Sequence, residues 1–208
     1  SGSLSSPLLS FFFFCHPFLF IMVWDRKSGC PTHFFSLVIV QHPETGKFLA
    51  VEETRNRGWW LPGGFCECGE DHIKTAHKET MEEAGMEIEL QGVLRVESFI
   101  HAGGARQRVI FYAYPKDPNA TPKQLPGDEE SQQAKWMSMA EMEAMKKLPV
   151  PQGWRSSELT EWAEYLCQGG EIYPLSVLTK ESSRVSVNSN NAWTIAPRNA
   201  PSSSSSSS

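Results

Sequence analysis

Three glutamates, Glu79, Glu82 and Glu83, stand three and four residues apart in a segment with helical spacing, so a helix there gathers their carboxylates on one face. Left alone the arrangement is unfavourable: each like-charge pair costs about 0.2–0.5 kcal/mol on an exposed helix, and more where water is excluded. A divalent cation relieves the repulsion, and oxygen-only ligands select a hard ion. Magnesium is the expected occupant, usually held by a few carboxylates with water and substrate phosphates completing its shell; manganese is a substitute. The Gly63-Gly64 pair upstream lets backbone approach the same place and makes the Gly64 carbonyl a further ligand candidate. On these residues alone, a solvated acidic helix face is the competing interpretation.

The wider spacing narrows the choice. Gly64 is followed after five residues by Glu70, after seven more by Lys78-Glu79-Thr80, after one by Glu82-Glu83 and after one by Gly85-Met86. This series resembles the Nudix box, G-x5-E-x7-R-E-U-x-E-E-x-G-U, with Gly64, Glu70, Glu79, Glu82, Glu83 and Gly85 in register. Leu61-Pro62-Gly63-Gly64 is similar to that family's approach to the box. Two positions depart from the pattern: Lys78 stands where the box has arginine, and Thr80 where it has an aliphatic residue.

The resemblance implies an α/β/α sandwich with a mixed β-sheet over residues 30–178, carrying a loop-helix-loop motif. It also implies a reaction in which a metal-activated water attacks one phosphorus of a diphosphate, with magnesium neutralising charge on the leaving phosphate. By position, Glu79, Glu82 and Glu83 are the implied metal ligands, and Glu70 supports them by holding the cation at position 78. Lysine keeps the charge of arginine but loses its planar fork, which puts loop rigidity and rate in question, not metal binding. Thr80 exchanges apolar packing for a hydroxyl able to bond back to the helix backbone. The family often adds a carboxylate from a loop outside the box. Glu130, six residues before Trp136, resembles that position; Glu129 is the adjacent competitor, and a solvated loop acid is the plain alternative.

Other residues carry weaker signals. Trp59 and Trp60 are candidates to stack on a base, although at least one of them is expected in the core. Arg106 and Arg108, with His101, lie beside a strand pair, and one arginine is a candidate phosphate contact, while surface exposure is the better reading of each taken singly. Cys66, Cys68 and His72 suggest zinc only superficially: they fall at the free positions of the box, lack a fourth ligand and would rival the glutamate site. Glu141, Glu143, Lys146 and Lys147 read as an ordinary solvated helix face.

The elements that must position these residues can be read in order. Phe34–Val40 and Lys47–Glu52 are β-branched and aromatic runs separated by the turn residues His42–Gly46, and together they read as a hairpin. Residues 53–64 read as a loop, because proline and paired glycines forbid a helix. Asp71–Ala84 has helical spacing, with Ile73, Ala76, Thr80 and Ala84 on one stripe and Gly85 placed to end it. Strands are expected in Glu87–Phe99, Gln107–Tyr114 and Ala134–Met139, and helices in Met139–Lys147 and Ser157–Cys167, the latter with Leu159, Trp162, Ala163 and Leu166 as its apolar face.

Composition bounds the remainder. At 208 residues, 40% hydrophobic and 21% charged, the chain suits one domain of roughly 150 residues with tails. A net charge of −5 leaves no global basic field, so a polyanionic substrate must be met by local cations or a metal, and long nucleic acid is not an expected partner. The five cysteines form no regular framework, which favours free thiols in a reducing, cytoplasmic setting. The apolar run around Phe11–Phe14 and Phe18–Met22 is too short for a membrane span. It also lacks the cationic start and cleavage site of a secretory signal. Met22 is read as the natural start, with residues 1–21 a scar plus translated upstream sequence, and residues 179–208 as a disordered Ser-rich tail.

The expected activity is therefore magnesium-dependent hydrolysis of a pyrophosphate bond in a nucleoside diphosphate-linked small molecule. The stretch Gly58–Gly64 and the Glu130–Trp136 spacing are similar to branches acting on oxidised nucleoside di- or triphosphates. Dinucleoside polyphosphates, nucleotide sugars and RNA 5′ ends are the alternatives. The competitor from another class is a Nudix-fold binding or regulatory module without turnover, which has no need of Glu79, Glu82 and Glu83; only Lys78 leans that way.

Overall fold

The computed structural model describes residues 29–179; the expectations for residues 1–21 and, apart from residue 179, for the Ser-rich tail lie outside the described residues. Strand β1 (Thr32–Val40) explains the continuous apolar run at its end, because both of its faces are covered. Leu37 and Ile39 enter one core, and Val38 and Val40 the other. Its neighbours are β4 (Gly63–Phe65), antiparallel, and β6 (Gly104–Pro115), parallel; β5 (Ile88–His101) pairs antiparallel on the far edge of β6. The result is a mixed four-stranded sheet in the order β4-β1-β6-β5.

A second, antiparallel sheet has the order β3-β2-β7, built from β2 (Phe48–Glu53), β3 (Trp59–Trp60) and β7 (Ser131–Met137). The hairpin expectation is corrected by this arrangement. The turn is real, since the His42 amide donates to the Lys47 carbonyl at 2.8 Å, and Gln41 and Phe48 form an isolated bridge. Beyond it the strands part into different sheets, because the edges of β1 are taken by β4 and β6 and those of β2 by β3 and β7. The loop expected over residues 53–64 is also corrected: it holds β3 and the start of β4.

Helix α1 (His72–Ala84) begins at Asp71, whose side chain accepts from the Lys74 amide, and ends at Gly85, which is left-handed at φ 66°. Ala76 and Ala84 from its buried stripe join the core containing Leu49, Val51 and Phe111. Thr80 is fully buried, and its hydroxyl donates back to the Ala76 carbonyl at 2.8 Å, so the departure from an aliphatic residue leaves no unsatisfied group. Helices α2 (Met139–Met145) and α3 (Glu158–Cys167) cover the opposite core through Met142, Leu159, Trp162 and Ala163. The expected α/β/α layering is thus observed, with the strands divided between two sheets.

Candidate functional site

The glycine pair brings the β4 backbone against two neighbours at once. Gly63 has φ +155°, and a Cβ there would overlap the Ser36 carbonyl and the Leu37 backbone. A Cβ on Gly64 would sit 2.7 Å from Glu79 Oε1 and closer still to Oε2. The two glycines therefore allow the loop to touch β1 on one side and the first glutamate of the helix cluster on the other.

Lys78 ties the loop to the helix. Its ammonium lies 3.2 Å from Glu67 Oε1, 3.2 Å from Glu70 Oε2 and 3.5 Å from Glu79 Oε1. Glu70 also accepts from the Glu67 amide and the Thr75 hydroxyl, each at 3.3 Å, and pairs with Lys74. Burial works against both charges. At Glu70 it is outweighed by Lys78, the Glu67 amide and Lys74, which hold the carboxyl below its ordinary range. At Lys78 it is outweighed by Glu67, Glu70 and Glu79, which hold the ammonium well above its usual value.

Glu79 and Glu83 present carboxylates in poor solvent, while Glu82 on the same helix is exposed. Glu83 Oε2 accepts from the Gly63 amide at 2.9 Å, and yet burial, reinforced by repulsion from Glu79, Glu53 and Glu130, pushes its carboxyl up to about 8. Burial likewise raises Glu79, with repulsion from Glu82 and Glu130 adding to it and Lys78 opposing. Both carboxyls are thus short of positive charge. Among the described residues, no three His, Cys, Asp or Glu side chains stand together as a finished cation cage. Glu79 leans on Lys78 and Glu83 on the Gly63 amide, each held by its own partner.

Glu130 is exposed on the turn before β7, and it is brought near the helix cluster, since its charge is felt at both Glu79 and Glu83. The turn is braced. Asp128 Oδ1 accepts from the amides of Glu130 at 3.0 Å and Ser131 at 3.1 Å, and Lys123 pairs with Asp128 at 2.8 Å. Lys123 also donates to the Glu82 carbonyl, and Ser131 Oγ donates to the Glu83 carbonyl at 2.5 Å, so the turn is tied to the C-terminal half of α1.

The weaker candidates lie apart from this cluster in their bonding. Trp59 is 6% exposed, packs in the core and has Lys135 Nζ 5.1 Å from its ring centroid, which removes it as a surface for a base. Trp60 is half-buried; its indole donates to Glu158 Oε2 at 3.2 Å, and the Arg155 guanidinium sits 4.3 Å over its ring. Arg108 pairs with both Glu97 and Glu158, so its charge is already engaged, whereas Arg106 is exposed. His101, the last residue of β5, is exposed and accepts from the Gly103 amide. Cys66 Sγ lies 3.6 Å from both His72 Nδ1 and the buried Ser36 hydroxyl, while Cys68 is exposed, and no zinc set forms among the described residues.

Two neighbours of the cluster escaped the sequence reading. Glu53, the last residue of β2, is 6% exposed and close enough to Glu83 to raise its carboxyl. Arg155, in the stretch before α3, donates to Glu53 Oε1 at 2.5 Å. The signal for Glu53 was period-two alternation: Leu49 and Val51 face the α1 core, and Glu53 follows in phase. Nothing local marks Arg155, which is 102 residues from its partner.

Comparison with known proteins bears on the family and the fold. The family model described as the NUDIX domain matches residues 33–162. The human 8-oxo-dGDP phosphatase NUDT18 is 32% identical over 114 residues, covering 53% of this chain and 33% of that protein. This chain thus aligns with only about a third of the length of the human relative. Phosphatase NudJ of Escherichia coli strain K12 is 28% identical over 145 residues, covering 69% of this chain and 88% of NudJ. Among solved structures, a NUDIX hydrolase from Nitrosomonas europaea has a TM-score of 0.54 at 22% identity, covering 69% of this chain and 76% of its own. At that identity the likeness speaks to the fold alone.

Proposed function

The chain belongs to the NUDIX domain family, and from that premise we propose that it hydrolyses a pyrophosphate bond in a nucleotide-linked small molecule, using a divalent cation held by Glu79, Glu82, Glu83 and the Gly64 carbonyl. The observation that carries the reading is the Glu79–Glu83 pair: two carboxyls on one helix face, both pushed up by burial and by repulsion from neighbouring glutamates, beside a glycine at which any side chain would collide with one of them. Such a donor set is all oxygen and short of positive charge, which suits magnesium or manganese. When bound, the cation neutralises charge developing on the leaving phosphate.

The residues of the chain divide the remaining work. The Gly63 amide and the Ser131 hydroxyl hold Glu83 at its side chain and its carbonyl. Lys78, fixed by Glu67 and Glu70, locks the loop onto α1 and so sets Glu79. Glu130 reaches the cluster from outside the box with an exposed carboxylate, suited to accept the proton of the attacking water. Arg106 remains the exposed candidate for a substrate phosphate, and Trp60 the candidate for an aromatic contact.

Oxidised purine nucleoside di- or triphosphates are the substrate class we favour, on the likeness to the human 8-oxo-dGDP phosphatase. A reducing compartment fits the free thiols Cys30, Cys66, Cys68 and Cys167. Among the described residues no helix is long and apolar enough to cross a membrane. The deciding experiment is a panel of oxidised and ordinary nucleoside diphosphates, dinucleoside polyphosphates and nucleotide sugars, incubated with magnesium and resolved by chromatography. A nucleoside monophosphate product from one class identifies substrate and bond; binding without turnover across the panel, with magnesium and with manganese, marks a binding module instead.

A further inference from the structure

Among the described residues, Oε2 of Glu53 is the single buried side-chain oxygen or nitrogen with no hydrogen-bond partner. The nearest cation on its own loop, Arg57 Nε, is 3.7 Å away, too far for a hydrogen bond. A buried carboxylate oxygen left in this state is destabilising, and the nearness of Glu83 makes it more so. The other oxygen is fully engaged: Arg155 donates to Oε1 at 2.5 Å while its guanidinium lies over the Trp60 ring. A carboxylate kept only as a counter-ion for arginine would be expected to take the two-pronged pairing that uses both oxygens. Here the stacking on Trp60 sets the guanidinium on one oxygen and leaves the second bare.

We propose that Glu53 is a further carboxylate of the cation site, its Oε2 binding the divalent cation directly or through one of the waters the cation retains. The inference rests on the cation site proposed above at Glu79, Glu82 and Glu83. Three observations converge on it. Glu53 is more than nine-tenths buried; it pairs across β2 and β7 with Ser131, whose hydroxyl donates to the Glu83 carbonyl; and it lies within electrostatic reach of Glu83. A cation near Glu83 removes the repulsion between the two carboxylates and supplies the missing partner of Oε2 in one step. Arg155 then remains the counter-ion of Oε1, offsetting part of the charge that Glu53 offers the cation, and the site does not depend on it.

The test is manganese binding to the full chain without nucleotide, with free Mn2+ followed by electron paramagnetic resonance. Glu53→Gln should weaken binding by about tenfold or more. Glu52→Gln, on the neighbouring carboxylate that accepts from Gln133, should match the wild type. Arg155→Ala should bind Mn2+ as tightly as the wild type or more tightly, since it removes a positive charge and leaves the carboxylate. If Glu83→Gln weakens binding while Glu53→Gln does not, the inference about Glu53 is overturned and the box site stands. Arg155→Ala weakening Mn2+ as much as Glu53→Gln also overturns it, because Glu53 would then act only through Arg155. A wild-type chain that binds no Mn2+, or a Glu83→Gln variant that binds normally, removes the cation site itself and this inference with it.

Discussion

Lys78 Nζ stands 3.2 Å from Glu70 Oε2, the contact through which this chain absorbs its main departure from the Nudix box. An arginine would grip Glu70 with a planar fork; the lysine instead spreads one point charge over Glu67, Glu70 and Glu79. Charge is conserved and direction is not.

That difference yields a rescue experiment. Lys78→Met should lower turnover by roughly 10–100-fold, as losses of supporting contacts around a metal site do. Lys78→Arg should restore it to at least the wild-type rate. The measurement is kcat at saturating magnesium together with the melting temperature; equal activity in all three proteins would mean that the lysine is a bystander.

The raised Glu83 carboxyl has a consequence for stability. Its value rises from 4.5 to about 8 on folding, so between those limits the folded chain binds more protons than the unfolded one. Its stabilising contribution is complete below the lower value and is lost as pH rises through the upper one. Metal-free protein in chelator should therefore melt at progressively lower temperature from about pH 5 to about pH 9, and Glu83→Gln should flatten that slope. Saturating magnesium should flatten it too, by stabilising the ionised form. Melting curves across this range with and without the ion check all three statements.

The two glycines should fail differently. Gly63→Ala meets backbone at a positive φ and should cost about 3 kcal/mol of stability, measured by denaturant unfolding. Gly64→Ala meets only the end of the Glu79 side chain, which can swing aside. It should fold nearly as well as the wild type and lose most of its activity. A strongly unfolded Gly64→Ala would show that the close approach serves the fold first.

Glu130→Gln should depress kcat more than it changes KM, because an amide neither accepts the proton nor binds the ion. Glu129→Gln is the control on the same turn. Should Glu129→Gln lose the rate while Glu130→Gln keeps it, the role moves by one residue; if both keep it, the proton is taken elsewhere.

What the sequence determined alone is the part of the site written in local geometry. Intervals of three and four place Glu79, Glu82 and Glu83 on one face of α1 whatever surrounds the helix, and Asp71 and Gly85 cap it with atoms at most five residues distant. The layer order was implied by the resemblance to the Nudix box, and the apolar stripes of α1 and α3 and the doubly apolar β1 are the surfaces those layers bury. Tertiary structure decided everything that depends on who lies opposite. The turn at residues 42–46 is local, but the pairing of β1 with β6 and of β2 with β7 is a competition among distant edges, so a hairpin expected from adjacency became two sheets. Trp59 and Trp60 are identical neighbours in sequence, and the alternation of β3 sends one into the core and turns the other toward Arg155. Glu53 has the same character: it is an acid at a strand end until β7 pairs beside it and Arg155 bonds it, and its repulsion with Glu83 is an energy that exists only between residues the chain has brought together.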